Sequence, residues 1–169
     1  MIETKPVNPV NSNSKTQQAD TLVMGVGNYL MGDEGVGVHI AQAMEKMKLP
    51  YYLAALDGGT GGFFLMNYFD EYPHVIFVDA TMDGKPVGTV TLTEPKFASD
   101  FPTALSVHDV GLKDMIETLY MLGNVPNMYL ITISIDEIVP MRVGLSPKVE
   151  KSIPAVIDKI FTLGKEIHR

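Results

Sequence analysis

The chain contains no cysteine. It can therefore form no disulfide, offer no thiolate to a metal and attack no carbonyl with sulfur, so any metal contact falls to His, Asp, Glu or the backbone. Positive charge is also scarce, with 13 Lys and Arg against 20 Asp and Glu and a formal net charge of −7. That balance repels nucleic acid and anionic lipid, and no basic patch opposes it. No apolar run approaches the roughly 20 residues needed to span a bilayer. The opening stretch "MIETKPVNPVNSNSKTQQAD" has no apolar segment of the signal-peptide kind, which makes the cytoplasm the expected location. Neither a Gly-x-Ser-x-Gly elbow nor a His-Glu-x-x-His helix occurs, so the serine and zincin mechanisms lack their signatures along with the thiol one.

What is present suits one globular domain: 169 residues, 46% of them hydrophobic, suffice for a substantial core. The eleven methionines are spread singly through apolar segments, as adaptable core filler is. Residues 1–20 are polar and aperiodic and are expected to form a flexible tail, leaving residues 21–169 as the folded unit. "TLVMGV", "YYLAAL", "HVIFVDA", "GTVTLT" and "NMYLITISI" read as strands, the third as a central one covered on both faces. Val36, Ile40, Ala43, Met44 and Met47 recur at helical spacing. Leu112, Met115, Ile116, Leu119 and Leu122 do the same, with Asp109 placed as N-cap. A short helix is expected around residues 63–69, with "DGGTGG" as the loop before it. Ser146-Pro147 signals a helix start, Val149, Ile153, Val156, Ile157, Ile160 and Phe161 mark its buried face, and Pro154 should kink or split it. Alternating strands and helices predict an α/β three-layer sandwich with a twisted, mostly parallel central sheet and helices on both faces; its site should lie beyond the carboxyl ends of the strands.

The glycine-rich stretch "GVGNYLMGDEGVG" first suggests a phosphate loop. As a dinucleotide fingerprint it fails, because Leu30 stands where the third glycine belongs, and no Gly-Lys-Ser/Thr follows to make a Walker loop. Its Asp33 and Glu34 would repel phosphate, whereas a cation would be welcome. Asp79 ends the predicted central strand and would reach the same sheet edge, although an Asx turn in "DATMDG" explains it equally. His108, in "SVHDVG", stands just before a helix and could complete a set of two carboxylates and one imidazole, which suits Ni, Zn or Mn better than Ca or Mg. His39, His74 and His168 read as surface or hydrogen-bonded residues, and Asp33 as a helix-start acid favoured by the dipole.

"GVGNYLMGDEGVG", "LDGGTGG", "VIFVDA", "SVHDVGL" and "VGLSPKVE", in that order, resemble the hydrogenase maturation endopeptidases, which process the large subunit of nickel-iron hydrogenases. The similarity spans roughly residues 21–163. It implies an endopeptidase that removes a C-terminal extension from the precursor after nickel insertion, with the nickel carried by the substrate. It also implies metal contacts at Glu34, Asp79 and His108, and a substrate-selecting loop at Asp57, Gly58, Gly59 and Thr60. Val107 stands where the family often has proline. Metal-assisted hydrolysis follows as the expected mechanism, with Asp57 either handling a proton or shaping the glycine loop. Two other readings remain: a phospho-receiver domain, which wants an acid pair close to the first strand end and a lysine where "SIDEIVP" supplies acids, and a non-catalytic nickel-binding scaffold on the same fold.

Overall fold

A computed structural model describes residues 18–102 and 112–169. Five strands, β1 (Thr21–Val26), β2 (Leu53–Gly59), β3 (His74–Thr81), β4 (Val90–Thr93) and β5 (Asn127–Ser134), form one sheet in the order β2-β1-β3-β5-β4. All neighbours are parallel except β4, which runs antiparallel on β5 at the edge. The helices are α1 (Val36–Glu45), α2 (Asn67–Glu71), α3 (Leu112–Leu122), α4 (Pro147–Glu150) and α5 (Ile153–Ile167).

Strand alternation divides the core in two. Val23, Ile76, Val78, Ile131 and Ile133 face α1 and α5 and pack with Val36, Ile40, Val156 and Ile160. Leu22, Met24, Val75, Phe77 and Leu130 face the other way, toward α2 and α3, and pack with Phe69, Leu112, Met115 and Ile116. The three-layer sandwich expected from the sequence is the fold observed. Because the chain leaves β1 first toward β2 and later toward β3, the order reverses between β1 and β3, which opens a crevice at their carboxyl ends.

Several local expectations are refined. "DGG" does not begin a loop: Asp57, Gly58 and Gly59 continue β2, with a register shift opposite Gly25 and Val26. The third strand does not stop at Asp79 but runs on to Thr81, because β5 keeps pairing with it to Ser134. Met47 and Leu122, placed on buried stripes by spacing, are 42% and 68% exposed, since each lies at or beyond the last turn of its helix, clear of the sheet. Proline splits the last helix as expected: α4 starts with Pro147 behind the Ser146 cap, and Pro154 opens α5. The expected tail falls mostly outside the described residues, but Asp20 is tied down, its carboxylate accepting from Thr21 and meeting the His168 ring.

Candidate active site

Two glycine contacts hold the first loop against the sheet. A Cβ on Gly37 would lie 2.2 Å from the Val78 carbonyl oxygen and 2.4 Å from that of Val26, and one on Gly25 would lie 2.0 Å from the Gly37 oxygen. The first turn of α1 therefore rests directly on β1 and β3, a distance no side chain permits. Just before it, the 3-10 turn Gly32–Gly35 buries Glu34 and packs against β3. Gly27, at φ 134°, passes so close that a Cβ there would lie 2.3 Å from the Glu34 oxygen. The glycines thus serve close packing, which fixes the backbone that bears an acid.

Glu34 is 1% exposed, and its Oε2 accepts from the Asn28 backbone N–H at 2.6 Å. Asp79 is fully buried, and its Oδ1 accepts from the Ala80 N–H at 2.8 Å. In register, Val78 pairs with Gly25 of β1, and Asp79 with Thr132 of β5. By alternation with Val75 and Phe77, Asp79 faces the α3 side of the sheet. On that same face, at the carboxyl ends of β3 and β5, follow Thr81, Thr132 and Ser134, all buried. The sequence reading missed this polar row, whose signal is the alternation of "DAT" and "TIS" after purely apolar positions. Thr81 Oγ1 has no hydrogen-bond partner among the described residues.

His108 and the Asp109 cap lie outside the described residues. Leu112, four positions after His108, lines a small cavity together with Val26, Gly59, Thr60 and Met115. The start of α3 therefore meets the ends of β1 and β2 on the Asp79 side. Among the described residues no group of three His, Cys, Asp or Glu side chains gathers at metal-binding spacing.

Asp57 is placed differently. Its neighbours in alternation, Leu53 and Ala55, pack on the α1 side, so its carboxylate lies on the opposite face from Asp79 and two strands away. Oδ2 accepts from Gln42 Nε2 of α1 at 2.9 Å, and Oδ1 from the Gly59 N–H at 3.0 Å. The second bond is an Asx-type turn that shapes the path into Gly59 and Thr60. Gly61 N–H then closes on the Gly58 carbonyl.

Asp33 does more than favour a dipole. Its Oδ1 accepts from the Ser146 N–H at 2.6 Å, and backbone bonds from Gly32 to Arg142 and from Arg142 to Leu30 run alongside. Together they strap the segment after β5 onto the Glu34 turn. Of the other histidines, His168 is hydrogen-bonded as expected, to Tyr51 and Asp20. His39 and His74 instead keep Nε2 and Nδ1 buried without a hydrogen-bond partner among the described residues. Burial holds the His39 imidazole below its ordinary range, with Glu150 and Asp57 acting in the opposite sense.

A doubly covered open sheet with two buried acids at its switch point defines an α/β enzyme with its crevice at the strand ends. The family model described as hydrogenase maturation protease matches residues 38–163. The chain is 33% identical to the hydrogenase 2 maturation protease of Escherichia coli (strain K12) over 148 residues, 86% of this chain and 90% of that protein. Its fold superposes on the hydrogenase maturating endopeptidase HybD from Escherichia coli with a TM-score of 0.77 at 32% identity, covering 86% of this chain and 92% of the other. A hydrogenase 2 maturation peptidase from a Thaumarchaeota archaeon gives a TM-score of 0.67 at 28% identity over 85% and 96% of the two chains. The chain belongs to the hydrogenase maturation protease family. It is a peptidase, which sets aside the phospho-receiver and scaffold readings. No helix among the described residues is long and apolar enough to cross a membrane.

Proposed function

We propose that this peptidase acts in the cytoplasm on the large-subunit precursor of a nickel-iron hydrogenase, removing its C-terminal extension once nickel has been inserted. In this reading the nickel belongs to the substrate and is contacted by Glu34, Asp79 and His108. One observation supports the proposal: two carboxylates from distant stretches of chain, Glu34 in the turn after β1 and Asp79 near the carboxyl end of the neighbouring β3, have almost no solvent contact. Two carboxylates and an imidazole form a donor set that suits a divalent transition metal such as nickel. His108 stands four residues before Leu112, which packs on the Asp79 side of the sheet. A precursor without nickel offers the three groups no shared partner, so its extension is not held in register.

In the cleavage step the substrate's nickel acts as a Lewis acid toward the scissile carbonyl or a water. The chain contributes its two carboxylates as fixed charges, and the Gly58, Gly59 and Thr60 strand end as the place where the peptide is gripped. The bonds from Gln42 and Gly59 to Asp57 favour its loop-shaping role over proton transfer.

The test mixes the protein with nickel-loaded and nickel-free precursor and follows shortening of the large subunit by mass. Cleavage of the loaded form alone is expected, with loss of cleavage in Glu34→Gln, Asp79→Asn and His108→Ala. Equal cleavage of both forms would refute nickel readout, and full activity in all three variants would refute the site.

A further inference from the structure

Six of the exposed large apolar side chains follow the carboxyl ends of the parallel strands. Leu30 follows β1, Phe63 and Phe64 follow β2, Met82 follows β3, and Met141 and Val143 follow β5, at 48%, 53%, 89%, 40%, 87% and 57% exposure. Every parallel strand thus ends in a loop that offers apolar surface to solvent on the side where Glu34 and Asp79 lie. Together they expose roughly 700 Å², close to the ~800 Å² that one partner contributes to a stable protein interface.

Met141 is the most constrained of them. It is the one non-glycine residue at positive φ among the described residues, at 59°, a conformation that costs a bulky side chain energy and persists only where its surroundings impose it. They do so here: Arg142 pairs with Leu30 and Gly32 on one side of the turn, and Asp33 clamps Ser146 beyond it. The strained turn is pinned on its C-terminal side, at Arg142 and Ser146, to the segment that carries Glu34, and presents Met141 to water.

We propose that these six side chains form the docking rim for an apolar segment of the hydrogenase large-subunit precursor next to the scissile bond, with Met141 and Phe64 as its anchors. The inference rests on the proposed function. A protein substrate must seat its cleavage point in the crevice, and these side chains stand at the crevice edge. Apolar side chains in preset positions suit such a partner because little ordering entropy remains to be lost on binding.

The experiment measures steady-state cleavage of nickel-loaded precursor by the full chain and by Phe64→Ser, Met141→Ser and Met141→Gly, with Met121→Ser as control. Met121 is 87% exposed but lies at the far end of α3 from the crevice. Each rim variant is expected to raise KM tenfold or more with kcat kept within twofold, and the control to change neither. Met141→Gly separates docking from folding: glycine relieves the positive φ, so its thermal midpoint should hold or rise while KM still increases. Active wild type with unchanged KM in all rim variants would overturn the rim. Loss of a dimer in those variants with KM unchanged would also overturn it, by making the rim a self-interface. A wild-type chain that cuts no precursor would instead remove the proposed function, and the rim's partner with it.

Discussion

Replacing Gly37 by alanine inserts one methyl group at the contact on which the crevice geometry depends. The new Cβ would lie 2.2 Å from the Val78 oxygen, 2.4 Å from the Val26 oxygen and 2.9 Å from the Val26 nitrogen. Real Cβ contacts do not fall below 3.0 Å, so α1 must lift by about 0.8 Å, and no flexible side chain can yield instead because all three atoms are backbone. Overpacking costs about 1–3 kcal/mol, and a clash with two strands at once belongs at the upper end, about 3 kcal/mol. With a urea dependence of about 2 kcal/mol per molar, the unfolding midpoint should drop by about 1.5 M while the protein still folds. The lift falls between the carrier of Glu34, three residues before Gly37, and Asp79, the residue after Val78. A displacement near 1 Å at a reacting centre costs on the order of 100-fold in rate. Urea titration by circular dichroism and single-turnover cleavage of precursor read the two effects separately. A midpoint within 0.3 M of wild type together with wild-type cleavage would refute the close-packing account of the glycine loop.

Asp33→Ala should destabilise by about 2 kcal/mol, the worth of a hydrogen bond to a charged acceptor. It should also raise proteolytic nicking in the segment before Ser146, detectable by limited trypsin digestion; unchanged nicking would argue against the strap. Thr81→Val removes a buried hydroxyl that has no partner among the described residues, so chemical denaturation should show equal or greater stability, by up to about 1 kcal/mol; a loss of stability would mean the hydroxyl is satisfied. Asp57→Asn keeps an oxygen for the Gly59 N–H and should retain cleavage within about tenfold, whereas general acid-base duty would cost about 100-fold or more. His39, stacked on Tyr29 at 4.7 Å, has its imidazole lowered by burial. The native state therefore takes up a proton less readily than the unfolded chain. Stability should fall as pH drops below the ordinary value of about 6.5 and level off below the lowered one. His39→Phe should flatten that slope in urea titrations between pH 5 and 7.

The amino-acid order alone determined the strands and helices that make up the sandwich, because β-alternation, helical spacing and proline are read within a few residues. "HVIFVDA" announces a doubly covered strand, and Pro154 breaks the last helix wherever that helix packs. Five ordered motifs also carried the family. Packing decided what no local window encodes. Continued pairing across β1 drew "DGG" into a strand, and the choice of which helix covers which face put Asp57 opposite Asp79 although both end apolar runs. Asp33 looked like a helix-start acid because its partner, the Ser146 N–H, is 113 residues away. Glycine frequency in the first loop was visible, but its purpose was not: whether a missing side chain admits a phosphate or a neighbouring backbone depends on what stands opposite, and only the folded chain puts β3 there.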